Sequence, residues 1–85
     1  MERRIRRDVY EIVLHDEEPR RASIYLLDKS LRMRFKENCL FSYDGRNWTK
    51  CSGGKSVDLD ELPLSDEDKR ILLVFFGNDI KEKSK

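Results

Sequence analysis

Basic and aromatic side chains alternate between Leu31 and Trp48, in the stretch LRMRFKENCLFSYDGRNW. This mixture is typical of surfaces that bind single-stranded nucleic acid, where bases stack on rings and cations neutralise phosphates. The chemistry requires that the two kinds of side chain share one face of a sheet. The alternation in LRMRF and CLFSY predicts two strands, and Asp44-Gly45 predicts a hairpin that leads into a further strand, RNWTKC.

Two pairing registers are open for these strands, and they differ in the face that each side chain occupies. A two-residue turn at Glu37-Asn38 places cations and rings together as a stacking platform. Its members are Arg32, Arg34, Lys36, Phe41, Tyr43, Trp48 and Lys50. A three-residue turn instead buries the rings and leaves the cations as a basic row on the outer side. The side chains buried in this second register are Leu31, Met33, Phe35, Phe41 and Trp48. We favour the second register, because a chain with four Phe, three Tyr and one Trp has a small core that needs its rings.

The densest positive run is RRIRR, which we predict to be a basic arm within residues 1–7. Arginine forks match the geometry of phosphate, so an arm of this kind could grip a nucleic-acid backbone. The predicted phosphate contacts are Arg3, Arg4, Arg6, Arg7, Arg32, Arg34 and Lys36. Tyr43 and Trp48 would stack on bases in the first register only. The leading functional prediction is therefore a module for single-stranded DNA or RNA.

The chain is predicted to be one mainly β domain over residues 1–85, since 85 residues suffice for one small domain. Residues 8–59 are expected to form an antiparallel sheet or partly open barrel of five to six strands. One C-terminal helix is expected at 65–77, because Ser65 is a good N-cap before three acidic residues and Gly77 is a stop signal. Residues 78–85 are expected to be a charged tail.

Composition indicates little about partners, because 18 Lys and Arg against 17 Asp and Glu leave a net charge of +1. No signal peptide and no apolar run of about 18 residues is recognisable, so a cytoplasmic protein without a membrane partner is expected. Cys39 and Cys51 are then expected to be reduced thiols. Because they flank the predicted hairpin, a bridge across the strands is geometrically conceivable.

No motif in the sequence predicts catalysis, a metal or a cofactor. SGGKS resembles a phosphate loop, but Thr49 stands where that loop needs its first glycine and no helix pattern follows Ser56. His15 is the only histidine, and one histidine with two separated cysteines is a poor zinc site. We therefore expect a protein that is not an enzyme, and a protein-interaction or regulatory module is the alternative function.

Two short motifs resemble those of PilZ domains. Arg3 and Arg7 match an Arg-x-x-x-Arg pattern, and Asp28 and Ser30 match the start of Asp-x-Ser-x-x-Gly, with Met33 at the glycine position. The segment LPLSDEDKRILLVFF is similar to the helix that closes those barrels. The resemblance implies binding of cyclic di-GMP, with Arg3, Arg7, Asp28 and Ser30 as ligand contacts.

Overall fold

A computed structural model describes residues 2–77 of the chain. Six antiparallel strands form one open sheet in chain order, with one helix between the third and fourth strands and a second helix after the sheet. The strands are β1 (Glu2–Arg6), β2 (Tyr10–His15), β3 (Arg21–Leu26), β4 (Cys39–Ser42), β5 (Asn47–Lys50) and β6 (Ser56–Asp58), and the helices are α1 (Lys29–Phe35) and α2 (Asp66–Phe75). The predicted mainly β fold with a C-terminal helix is confirmed. The predicted tail, 78–85, lies outside the described residues.

The sheet has an apolar face and a mixed face, which follow from the period of two along each strand. The apolar face, here the core face, carries alternate residues of the strands and is joined by loop and helix residues. The core consists of Tyr10, Ile12, Leu14, Ala22, Ile24, Leu26, Phe35, Leu40, Trp48, Val57, Leu59, Leu62, Leu64 and Leu72. The other side, here the outer face, carries Glu11, Val13, His15, Arg21, Ser23, Tyr25, Cys39, Phe41 and Thr49.

The predicted basic arm is wrong, because residues 2–6 form strand β1. Ile5 lies opposite Ile12 and packs against the core, which draws the segment onto the free edge of β2. Arg4 and Arg6 both form ion pairs with Glu11, at 3.3 and 3.5 Å. The positive run is thus partly neutralised inside the sheet.

The predicted strand LRMRF is also wrong, and it belongs to helix α1. Asp28 is the N-cap and accepts hydrogen bonds from the backbone N–H groups of Ser30 and Leu31, at 3.1 and 3.4 Å. Leu31 and Phe35 share one helix face and pack into the core, whereas Met33 remains 67% exposed. Leu31 and Phe35 are four residues apart, a spacing that places two side chains on one face of a strand as well as on one face of a helix. The Asp28 cap therefore decides that this segment is helical.

Helix α2 lies where it was predicted, with the Ser65 side chain accepting from the Asp68 N–H at 3.2 Å. The turn before β5 is fitted closely to the end of this helix. Gly45 has φ +83°, and a Cβ atom there would lie 2.7 Å from the Phe76 ring. Glycine is therefore required at this turn both by its backbone and by the packing. Within residues 2–77 no helix is both long and apolar enough to span a bilayer.

Candidate nucleic-acid interface on the outer face

Three aromatic rings lie side by side on the outer face of β3 and β4. Tyr25 is 41% exposed, and Tyr43, which directly follows β4, is 56% exposed. Phe41 is half-buried between them and meets Tyr43 edge to face, with ring centroids 6.0 Å apart. Since Ser23 is paired with Phe41, a small side chain lies among the rings and leaves space above the sheet.

This space is an open cavity of about 280 Å³. It is lined by Arg21, Ser23, Tyr25, Cys39, Phe41, Tyr43 and Cys51. A second depression, of about 200 Å³, shares Arg21 and Tyr43 with it and adds the loop residues Glu17, Glu18 and Pro19. The two depressions form one groove along the outer face, with rings and a cation at its centre and two carboxylates at one end.

Arg21 is the cation of this groove, and its guanidinium group has no partner among residues 2–77. No carboxylate among residues 2–77 forms an ion pair with it. Its Nε atom is buried and donates to no acceptor in that part of the chain. An unsatisfied buried N–H group is costly and rare in folded proteins. A phosphate oxygen is an acceptor that would satisfy it.

Arg7, a predicted phosphate contact, has the opposite environment. Its Nε and Nη2 atoms donate to the two carboxylate oxygens of Asp68 at 3.0 and 2.7 Å, and Tyr10 donates its hydroxyl to the same group. Asp68 is completely buried. Hydrogen bonding to Arg7 lowers the pKa of Asp68 below its ordinary value, whereas burial raises the pKa of Tyr10. This network joins α2 to the first two strands, so Arg7 serves the fold.

The predicted strand row of Arg32, Arg34 and Lys36 does not exist. Arg32 donates to the carbonyl oxygens of Leu26 and Leu27 at 3.1 and 2.8 Å. Arg34 is exposed over the Phe35 ring, and Lys36 ends the helix with φ 55°. In an α-helix Arg32 and Arg34 point in nearly opposite directions, since successive residues turn by about 100°.

Arg34 does line another groove, of about 560 Å³, between α1 and the segment that follows β6. Lys50 and Lys55 line the same groove, together with the carboxylates of Asp60 and Glu61. The cations there are accompanied by acidic residues and by no exposed ring. This groove therefore suits base stacking less well than the outer face.

Trp48, predicted to stack only in the platform register, is completely buried. Its Nε1 atom donates to the Gly45 carbonyl oxygen at 3.0 Å. The register that we favoured is right about Trp48 but wrong about Phe41 and Met33, because Phe41 lies on the outer face opposite Thr49 and Met33 is exposed on α1. The helical α1 removes the hairpin on which both registers were based. Of the predicted stacking residues, Tyr43 alone has an exposed ring.

Sequence reasoning missed Arg21 and Tyr25 as members of a site, whereas Phe41 was already a member of the platform register. The segment RASIYL carries the signal for the first two, because Ala22, Ile24 and Leu26 alternate with Arg21, Ser23 and Tyr25. A period of two therefore indicates an arginine and a tyrosine on the uncovered face. The two registers left the face of Phe41 open, since Leu40 beside it is equally apolar, and strand pairing places Phe41 on the outer face.

The four residues that resemble PilZ motifs are distributed between folding roles and an exposed position. Asp28 accepts the hydroxyl of Ser30 as well as two backbone N–H groups, and the Ser30 bond lowers the pKa of Asp28. Arg7 is bound by Asp68, and Arg3 is exposed opposite Leu14 on the edge strand. Comparison with protein-family models, with curated proteins and with solved structures finds no match for this chain.

Metal binding finds no support in the described part of the chain. No group of three or more His, Cys, Asp and Glu side chains in residues 2–77 is arranged to hold an ion. Cys39 and Cys51 are free thiols. The outer-face groove, with its rings and an arginine that no carboxylate of residues 2–77 pairs with, is thus the best candidate for a binding site.

Proposed function

We propose that this chain is a non-enzymatic module that binds single-stranded nucleic acid in the outer-face groove. The observation that supports it is the juxtaposition of the exposed rings of Tyr25 and Tyr43 with Arg21, a cation that has no carboxylate partner within residues 2–77. Rings bind bases without regard to sequence, because every base has a π face. Arg21 would donate to the phosphate between them.

The balance of forces in this groove favours stacking over charge. Base stacking on an aromatic side chain contributes about 1–3 kcal/mol per base. The neighbouring cations Arg4 and Arg6 are already paired with carboxylates, so Arg21 is the main phosphate contact. Single strands give a slope of log Kobs against log salt of about −0.7 per neutralised phosphate. We therefore expect a shallow slope, near −1, and an affinity that depends mostly on the rings.

The test is a titration of fluorescently labelled single-stranded DNA and RNA at two salt concentrations. The double variant Tyr25→Ala/Tyr43→Ala should weaken binding at least about tenfold, because it removes two stacking surfaces. Met33→Ala is the matched control, since Met33 is an exposed apolar residue on α1, away from the groove. Absence of binding by the unmodified chain at low salt, or unchanged binding by the double variant, would overturn the proposal.

Two further readouts separate the outer face from the surface of α1. Trp48 lies on the core face, so its emission should stay constant during the titration while tyrosine emission changes. The variant Arg34→Gln/Lys36→Gln should leave the affinity nearly unchanged. If that variant instead lowers the affinity and the salt slope more than the tyrosine variant does, the phosphate site lies on α1.

A further inference from the structure

Two thiols face each other across neighbouring strands in the wall of the outer-face cavity. Phe41 pairs with Thr49 and Leu40 with Lys50, and one more step along this register places Cys39 opposite Cys51. The Cys51 N–H donates to the Cys39 carbonyl oxygen at 2.9 Å. Both side chains line the cavity.

The pair makes one of the two backbone hydrogen bonds of a hydrogen-bonded position in an antiparallel ladder, since the Cys39 N–H donates instead to Glu37. Residues at such positions have Cα atoms about 5.5 Å apart, within the range of about 4.4–6.8 Å that disulfides span. The Cβ atoms of such a pair stand farther apart than the roughly 3.8 Å that a relaxed bridge needs. The bridge would therefore form with some strain, and strained, accessible disulfides are easily reduced.

The two thiols differ in access, which assigns them different roles. Cys51 is exposed, whereas Cys39 is half-buried under its neighbours. Burial, with the Cys51 thiol beside it, raises the pKa of Cys39 to about 12. Cys51 is thus the sulfur that an oxidant in solution meets first, and Cys39 is positioned to attack it afterwards.

We propose that Cys39 and Cys51 are a reversible thiol–disulfide switch in the wall of the outer-face cavity, oxidised by a hydroperoxide. In the first step the Cys51 sulfur attacks one peroxide oxygen and the O–O bond breaks. The thiol proton goes to the departing oxygen, which leaves a sulfenic acid and an alcohol, or water when the oxidant is hydrogen peroxide. In the second step the Cys39 sulfur attacks the Cys51 sulfur, the S–O bond breaks, and water leaves with the Cys39 proton.

The electrons balance over the two steps, since two leave the pair of sulfurs and reduce the peroxide bond. A dithiol or reduced glutathione returns the pair to two thiols by exchange. Closing the bridge draws the ends of β4 and β5 together beside Tyr25 and Phe41. Oxidation therefore changes the wall of the same cavity that carries the rings.

The experiment is a titration of the folded full chain with hydrogen peroxide, followed by thiol counting and intact mass. We expect a monomer that loses both thiols and two hydrogen atoms, and that regains them with dithiothreitol. Cys39→Ser should instead leave a sulfenic acid on Cys51 that a dimedone probe traps, whereas Cys51→Ser should react much more slowly. An oxidised product that gains oxygen without losing two hydrogens, or a disulfide found only between chains, would overturn the proposal. These readouts follow the sulfur chemistry alone, so they are independent of oligonucleotide binding.

Discussion

Arg7, directly after β1, and Arg21, at the start of β3, have opposite surroundings. Arg7 meets both oxygens of the buried Asp68, and Tyr10 adds a third hydrogen bond to that carboxylate. Arg21 has a buried Nε atom with no acceptor among residues 2–77 and no ion pair there. The first arginine stands where helix α2 covers the sheet. The second stands on the outer face, beside an open groove.

The difference separates a structural role from a binding role for the same side chain. A carboxylate brought by α2 satisfies Arg7, so replacing either partner should affect folding. No acceptor among residues 2–77 meets the Arg21 Nε atom, so replacing Arg21 should affect binding rather than folding. The predictions below test this division, beginning with the largest expected effect.

Asp68→Asn should produce the largest loss of stability. The substitution leaves Arg7 and the Tyr10 hydroxyl facing an amide in a buried site, and we expect the free energy of unfolding to fall by about 3 kcal/mol. Urea unfolding measures it. Asp60→Asn is the matched control, because the Asp60 side chain is exposed, and its effect should stay within about 0.5 kcal/mol. Equal stability of the two variants would show that the network does not hold α2 in place.

The same carboxylate predicts how stability depends on pH. Because the pKa of Asp68 in the folded chain lies below its ordinary value, the folded state binds a proton less readily than the unfolded state does. Its contribution is present above about pH 4, the ordinary value for Asp, and is lost as the pH falls through the lower folded pKa. Urea midpoints of the unmodified chain should therefore decline in acid more steeply than those of Asp68→Asn. Parallel pH curves would contradict the assignment.

Tyr43→Ala and Tyr10→Phe should have opposite effects. Removing the exposed Tyr43 ring should weaken oligonucleotide binding by about 1–3 kcal/mol and leave the unfolding midpoint almost unchanged. Removing the Tyr10 hydroxyl should lower stability by about 1 kcal/mol and leave binding unchanged, because it takes one hydrogen bond from the buried Asp68. Binding and urea unfolding are measured on both variants. A loss of oligonucleotide binding in Tyr10→Phe would place the binding site on the core face and contradict the proposal.

Arg21→Gln should reduce the salt dependence of binding with little effect on the fold. Loss of one phosphate contact should bring the slope of log Kobs against log salt closer to zero by about 0.7. Lys29→Gln, which removes an exposed cation from α1, should leave the slope unchanged. If Arg21→Gln lowers the free energy of unfolding as much as Asp68→Asn does, Arg21 has a structural role like that of Arg7 and the proposed division is wrong.

The smallest effect is expected from Glu17→Gln, at the acidic end of the groove. Removing this negative charge should tighten oligonucleotide binding about twofold at low salt, and the gain should vanish at high salt because exposed charges are screened. Glu61→Gln, outside the groove, is its control. A gain that persists at high salt would indicate a change of shape rather than of charge.

Prediction from sequence succeeded where local patterns were unambiguous and failed where they were short. The alternation in β2 and β3 and the Ser65 cap of α2 each extend over enough residues to exclude the other kind of element. The five residues of LRMRF fit both periods, so the strand prediction there was wrong. The predicted binding site was misplaced for the same reason, since its basic row of Arg32, Arg34 and Lys36 depended on that strand.

The sequence alone determined which segments alternate, where α2 begins and that a turn lies at Asp44-Gly45. These features depend on hydrogen bonds and periods within a few residues of one another. Only the tertiary structure decided that Arg7 is paired with Asp68 and that Arg21 has no ion pair among the residues that the structure describes. Arg7 and Asp68 are 61 residues apart in the chain, and only the packing of α2 on the core face joins them. The rings of Tyr25 and Tyr43 likewise share a cavity because strand pairing brings them there, and pairing is a property of the whole sheet.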